Sequence, residues 1–504
     1  MTRLVVLPTA ILGAMAAGEY IPATPTGGRI VLRSSWALAA TLAVLVAAPA
    51  TASPARYVAG APGAGDPFFP LAGNGGYDVR HYSLDLDYVR GDNRLSGRVG
   101  IFARATQNLS RFNLDLRDFY AVSRVTVNAS SGSFTHEGQE LSITPRHRLR
   151  KGSWFVVGVR YAGEPQPIVD PDGASEGWIP TDDGAFVVNE PVGSPGWYPV
   201  NDTPRDKATF DFAVTVPAGI TVMANGVLRS RRDRRGRTTW RWLGRSPMAP
   251  YLATATNGRF ETRFGRLPNG LRQYDAVDPN TRERIADPPN PGLAWERLAT
   301  EPEIVQFFSD LIGRYPFESV GGIVDWAPDV GYALESQTRP NYERIPDTLT
   351  AVHELAHQWF GNAVTLAVWP DIWLNEGFAT WSEWIYEERH GGPPAQDRFE
   401  ELYAIEEDSD DGQDLWFPAP AALPGPEVLF STPVYARGAM TLQALREKVG
   451  EGTFFAILRA WYRENRDRNV TTADFIALAE RESGLDLSAF FRGWLYEEGK
   501  PQAW

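Results

Sequence analysis

The segment His353-Glu354-Leu355-Ala356-His357 constrains this chain more than any other stretch of it. On a helix, two imidazoles four residues apart stand as neighbours on one face. From that face both rings can reach one metal ion, and the glutamate between them can turn toward a water at that ion. The spacing predicts a helix over 347–361, with Asp347 as its N-cap. The chain has no cysteine, which excludes thiolate sites and disulfides, so any zinc is held by His and carboxylate. Of its six His, His81, His136, His147 and His390 lack company at ligand spacing and read as structural.

Hydrolytic zinc takes three protein ligands and keeps an open position. Glu376, in Trp373-Leu374-Asn375-Glu376-Gly377, lies on the next predicted helix, 371–390, and supplies the third ligand. Asp371 is the expected N-cap of that helix and Gly391 its stop. The bland alternative, two surface His at accidental spacing, requires Glu376 to be a coincidence as well. Glu383, on the same face, reads either as support behind a ligand or as half of a surface ion pair.

A chain of 504 residues is too long for one compact core. Its net charge of -13 argues against nucleic acid as a partner. Residues 1–52 read as a signal peptide with an upstream extension. Trp36 to Ala48 is apolar, Arg29 and Arg33 precede it, and Ala50-Thr51-Ala52 offers a cleavage site after Ala52. This run is shorter than the roughly 20 residues of a membrane span, so a secreted chain without a stable span is expected. Residues 53–75, rich in Ala, Gly and Pro, read as a linker.

From 76 to 258 apolar residues alternate with polar ones: Tyr82 to Tyr88, Val99 to Ala103, Phe112 to Leu116, Phe155 to Tyr161 and Phe210 to Val216. A period of two predicts half-buried antiparallel strands and an N-terminal β domain. The arginines between 229 and 237 read as a solvated hairpin tip rather than an anion site. From 259 to 504 the pattern is mainly helical, around Ile304 to Ile312, 434–464 and from 472 on, with a strand at Ser319 to Trp326.

The stretches His353 to Asn362 and Trp373 to Ala379 resemble the aminopeptidase N and leukotriene hydrolase family of gluzincin zinc metallopeptidases. Gly331-Tyr332-Ala333-Leu334-Glu335-Ser336 stands where that family has Gly-Ala-Met-Glu-Asn. Tyr435-Ala436-Arg437-Gly438-Ala439 resembles its Tyr-x-Lys-Gly-Ala segment. Glu190-Pro191 with Tyr198-Pro199 and Asp202, and Tyr315-Pro316-Phe317 through Ile323, complete a likeness over roughly 76–504. Departures are Tyr332 for Gly, Leu334 for Met and Ser336 for Asn.

The resemblance implies an α+β multidomain fold: a saddle-like antiparallel β-sheet domain, then a thermolysin-like, mainly helical catalytic domain, without the C-terminal helical domain of larger members. It implies one Zn2+ per chain on His353, His357 and Glu376. Glu354 is the expected general base, and Tyr435 the group that stabilises the tetrahedral intermediate. Glu335 and Glu190 are expected to bind the substrate ammonium, with Ala333 and Leu334 along the peptide. Peptides with a free N-terminus are the implied substrates. An endopeptidase using the same site and a non-catalytic binding scaffold are the alternatives, and oligomeric state stays open.

Overall fold

Alternation of apolar and polar residues builds the largest element of the protein. A computed structural model describes residues 56–502, so the expected signal segment lies outside the described residues. From Ala55 onward the chain forms one compact unit. In the strand Tyr77–Val89, Tyr82, Leu84, Leu86 and Tyr88 are buried while Ser83 and Asp85 are exposed. This strand lies inside an eight-stranded sheet ordered Val227–Arg234, Arg237–Met248, Ala208–Pro217, Tyr77–Val89, Arg94–Ala105, Trp154–Gly163, Tyr120–Val127 and Ser130–Ser131. Its pairs are antiparallel except one: Ala208–Pro217 runs parallel to Tyr77–Val89. The expected arginine-rich hairpin tip is present, turning through Arg235 and Gly236 at φ 52° and 73°, as a two-residue turn requires.

A second sheet leads to the site. It is ordered Ile168–Val169, Ser175–Pro180, Ala185–Val188, Ala255–Gly258 and Thr221–Ala224. Glu190 follows its central strand. The next strand, Glu261–Arg266, opens a different sheet with Arg272–Val277, Ser319–Val320, Ile323–Val324 and Asn341–Tyr342. The expected domain boundary after 258 therefore falls at a change of sheet. The strand expected from Ser319 to Trp326 is broken at Gly321, whose φ of +147° and close approach to the Tyr274 carbonyl admit no side chain.

Helices then take over: α1 (Pro291–Leu298), α2 (Glu301–Leu311), α3 (Thr348–Ala356), α4 (Trp373–Arg389), α5 (Ala395–Tyr403), α6 (Asp410–Trp416), α7 (Thr432–Val449), α8 (Glu451–Asn465) and α9 (Thr472–Ser483). Among the described residues no helix is long and apolar enough to cross a membrane. Asp347 caps α3 as expected, accepting from the Thr350 amide at 2.8 Å. The helix stops at His357 rather than 361. Asp371 does not cap α4. It lies in the preceding 3-10 turn and accepts from the Thr472 hydroxyl at 2.6 Å instead. The segment 53–75, read as a linker, is strapped to the fold where it is described. Val58–Ala59 pairs with Leu109 and Arg111, and the Asp66 carboxylate accepts from the Trp369 amide at 2.8 Å.

One buried cation ties the large sheet to the chain that follows α3. Lys207 sits just before the strand Ala208–Pro217, and its ammonium donates to the carbonyls of Asn362 (3.1 Å), Ala363 (3.0 Å) and Arg468 (3.3 Å). Replacing it by Met keeps the length of the side chain but removes the charged donor shared by these carbonyls, leaving Asn362 only the Thr365 hydroxyl and Ala363 only the Asp467 amide. Lys207→Met is expected to cost about 2–4 kcal/mol of stability. The check is a lower urea midpoint at unchanged slope; an unaltered midpoint would mean that water replaces the ammonium.

Candidate metal centre and substrate cleft

Helices α3 and α4 bring the three predicted ligands together. His353 Nε2 lies 3.1 Å from Glu376 Oε2, and His357 Nε2 lies 3.4 Å from the same oxygen. Tetrahedral zinc with bonds of about 2.0–2.1 Å puts its ligand atoms about 3.3 Å apart. The donor set therefore fits zinc without rearrangement, and all three ligand atoms lie within 4.8 Å of one another. Each imidazole is held from behind: His353 Nδ1 donates to Glu383 at 2.6 Å, and His357 Nδ1 to the Phe360 carbonyl at 3.1 Å. Those bonds leave both Nε2 atoms for the metal. Glu383 is thus the support behind a ligand. A second group, Glu335, Glu354 and His357, also lies within 4.8 Å. It shares the single Nε2 of His357, so the two groups do not hold two ions.

The charges confirm how dry this place is. Burial alone would raise the Glu376 carboxyl, but His357 and His353 outweigh it and hold it down at about 2. Burial alone would lower His357, but Glu376 and Glu335 lift it to about 9. Glu354 is raised by burial to about 8, against the pull of His353 and His357. Burial thus raises Glu354 while the two imidazoles hold Glu376 down.

Tyr435 arrives on α7, its ring 6.1 Å from that of His353 and nearly parallel to it. Two glycines make this approach possible. A Cβ on Gly377 would lie 2.9 Å from Gly438 Cα, and one on Gly438 would lie 2.9 Å from Gly377 Cα. The helices carrying Glu376 and Tyr435 thus cross backbone to backbone, and a methyl on either drives them apart. Arg437 anchors the same helix by donating to the carbonyls of Trp416, Gly493, Trp494 and Glu497.

Glu335 and Glu190 both line the cleft. The Glu335 carbonyl accepts from Gln358 Nε2 at 3.0 Å and Asn362 Nδ2 at 2.7 Å, which fixes it against the loop after α3. Glu190 follows Asn189, whose side chain is pinned by Trp197 Nε1 at 2.7 Å and by the Tyr251 carbonyl at 3.2 Å. Both carboxylates are buried, and Glu335 Oε1 and Glu190 Oε1 have no hydrogen-bond partner. Ala333 lines the cavity, which has a volume of 560 Å³. Leu334 does not. Its side chain packs among Ile179, Phe186, Val188, Ala327 and Val330, because alternation along the strand-like segment turns it inward.

A larger cavity, 810 Å³, lies on the exposed face of the eight-stranded sheet. Arginines such as Arg98, Arg124 and Arg160 line it, and it contains neither metal-binding group.

Residues 332–494 match the Peptidase family M1 domain. The crystal structure of M1 zinc metallopeptidase from Deinococcus radiodurans aligns at a TM-score of 0.78 and 30% identity, covering 88% of this chain and 99% of that one. This chain belongs to the M1 family of zinc metallopeptidases. Aminopeptidase N of Lactococcus lactis subsp. lactis is 26% identical over 329 residues, 60% of this chain and 38% of that protein. A probable M1 family aminopeptidase 2 of Encephalitozoon cuniculi is 25% identical over 472 residues, 84% of this chain and 51% of that protein. The chain thus spans between 38% and 51% of the length of these two curated relatives.

Membership in the M1 family implies one Zn2+ per chain, and the His353, His357 and Glu376 donor set accommodates it. Sequence reasoning missed Tyr251, whose hydroxyl accepts from Asn375 Nδ2 at 3.3 Å. Burial raises this phenol, and so do Glu335, Glu190 and Glu376, which places it among the cleft carboxylates. Only the segment Pro250-Tyr251-Leu252 carries it, with no charge or periodicity to mark it. Asp172, Thr350 and Phe430 also line the cavity unannounced.

The hydrogen bond from His353 to Glu383 gives a test of the metal site alone. Glu383→Gln is expected to weaken zinc about 10- to 100-fold while leaving the fold intact. Competition with a chromophoric chelator reads this directly, and unchanged affinity would return Glu383 to the surface.

Proposed function

We propose that this M1 metallopeptidase is an aminopeptidase, removing N-terminal residues from peptides that present a free ammonium. The observation that carries the reading is the pair of buried, unpartnered oxygens on Glu335 and Glu190 beside the metal ligands. An unpaired buried carboxylate is costly, and an ammonium supplies charge and hydrogen bonds to both. An endopeptidase would have to carry a neutral amide past the same two groups, which would leave them uncompensated. In support, a mutant form of the Deinococcus radiodurans enzyme, at 30% identity to this chain, has been solved bound to a Tyr-Ser-Ala substrate.

The ammonium sets the register of the substrate, and the first peptide bond then lies over His353, His357 and Glu376. Zinc there supplies Lewis-acid polarisation of a carbonyl and an acidified water. Glu354, buried and raised toward neutrality, accepts the proton of the attacking water on a carboxylate oxygen. It returns that proton to the nitrogen of the departing amine. The Tyr435 hydroxyl, kept protonated by burial and by Glu376, donates to the oxygen that gains charge. Export of the chain belongs to the same proposal. It is supported by the apolar run from Trp36 to Ala48 and the Ala50-Thr51-Ala52 site, and N-terminal sequencing of protein from the culture medium should begin near Ser53.

A panel of free and N-acetylated aminoacyl reporter substrates tests the activity. Free substrates should be cleaved and blocked ones left intact, and Glu335→Ala should abolish most of the difference while zinc stays bound. Equal cleavage of blocked substrates would sink the exopeptidase reading. Tyr435→Phe should lower kcat by about 10²–10³-fold with little change in KM.

A further inference from the structure

The turn that carries Glu190 rests on another buried acid. Asn189 and Gly193 close this turn at its base, the Gly193 amide donating to the Asn189 carbonyl at 2.9 Å. Inside it Pro191 has no N–H to offer, and the Val192 amide donates to Glu176 Oε2 at 3.0 Å. The turn is seated directly on that carboxyl. A Cβ on Gly193 would lie 2.9 Å from Glu176 Oε2 and 2.7 Å from the Gly177 amide nitrogen, so the approach depends on glycine.

Glu176 stands on the strand Ser175–Pro180 and is fully buried. Ile168 pairs with Glu176, Val169 with Ser175, and the Asp170 amide donates to the Ala174 carbonyl at 2.9 Å. That register puts Asp170 and Glu176 on one face as diagonal neighbours, and their side chains meet in a hydrogen bond. Among the described residues neither oxygen of Asp170, nor Glu176 Oε1, finds a donor elsewhere. Two carboxylates supply only acceptors, so the bond between them carries a proton of its own. Burial raises Glu176 well above the ordinary carboxyl range, and Asp170 and Asp202 push it further. Burial also raises Asp170, to about 7, while the bond to Glu176 and the nearby Arg117 pull it down. The last proton of the pair therefore stays on Glu176. As a neutral acid it donates from one oxygen to Asp170 and accepts from Val192 on the other. The same hairpin presents Asp172 and Ala174 to the cleft, so the acid pair stands at the joint between two pieces of its wall.

We propose that Glu176 is a positioning residue for Glu190: hydrogen-bonded between Asp170 and the Val192 amide, it holds the turn that aims Glu190 at the substrate ammonium. The proposal rests on the aminopeptidase reading for what Glu190 binds. It gives no role to negative charge at Glu176. A neutral side chain with a donor and an acceptor at the same two places does the same work.

Steady-state kinetics of the zinc-loaded protein on leucyl-p-nitroanilide test this. Glu176→Gln keeps a carbonyl for Val192 and an N–H for Asp170, and should hold KM within about twofold of the parent. Glu176→Met keeps the volume but loses both hydrogen bonds. Its KM should rise about 5- to 20-fold with kcat nearly unchanged, because Glu335 still sets the register. Gly193→Ala pushes the same turn off Glu176 without touching either acid; it should repeat the Met result, and it carries the test where the Met variant does not fold. In a Glu190→Gln background either substitution should change KM by less than about twofold, since its effect passes through Glu190. A large rise in KM for Glu176→Gln overturns the positioning role, and so does a parental KM in the Met and Ala variants or an effect that persists in full without the Glu190 carboxylate. A Glu190→Gln protein with the parent's KM instead removes Glu190 as an ammonium anchor, and this inference with it.

Discussion

Too many carboxylates in too dry a place is the condition from which the rest of this site follows. Glu190, Glu335, Glu354 and Glu376 are buried together, with Glu383 behind them and only His353 and His357 in answer. Isolated, such a cluster is destabilising, because desolvated charge of one sign costs several kcal/mol per group. A divalent ion on Glu376 offsets part of it, and Glu190 and Glu335 keep one unpartnered oxygen each. The protein therefore stores its selectivity as a deficit of positive charge. The donor set of His353, His357 and Glu376 answers part of that deficit by fitting a metal ion.

Holding that deficit in place takes contacts that are distant in sequence. Glu190 comes from the end of a β-strand, Glu335 from a segment pinned by Gln358 and Asn362, and Tyr435 from a helix that can approach only because Gly377 and Gly438 lack side chains. Lys207 joins the large sheet to the loop that carries Asn362. No single element contains the site. It exists only once both sheets and the helices have docked, and Asn362 stands between the Lys207 clamp and the Glu335 carbonyl.

The parts legible in the sequence were those with a period or a fixed spacing. Alternation announced the strands of the large sheet, and the i, i+4 histidines announced α3 and its metal. Asp347 was legible as a cap because capping is local. Asp371 was not, since its partner, Thr472, lies a hundred positions on and nothing nearby reveals it. Tyr251 and Lys207 were invisible for the same reason: each acts through carboxylates or carbonyls delivered by other parts of the chain. The segment before residue 76 looked like a linker by composition, yet the strand Val58–Ala59 and the Asp66 carboxylate fasten it to Leu109, Arg111 and Trp369. Composition reports what a segment lacks, and here a two-residue strand and a carboxylate dock it.

The three departures in the Gly331 to Ser336 segment act on different surfaces, and that decides what they change. Leu334 points into the core, where an unbranched Met and a Leu fill similar volume, so this exchange leaves the cleft alone. Ser336 accepts from Asn341 Nδ2 at 2.9 Å, which stabilises the turn that presents Glu335. Only Tyr332 stands in the cleft wall, and its hydroxyl donates to the Ser175 carbonyl at 3.0 Å. That bond ties the peptide-facing segment to the turn carrying Asp172, on the strand pair that leads to Glu190. A glycine there would leave the two walls independent. The tyrosine couples them and lines both the metal cleft and the cavity of 630 Å³ that adjoins it. Of the three departures it alone reshapes the wall beside Glu335, and it does so without displacing that carboxylate from the cleft.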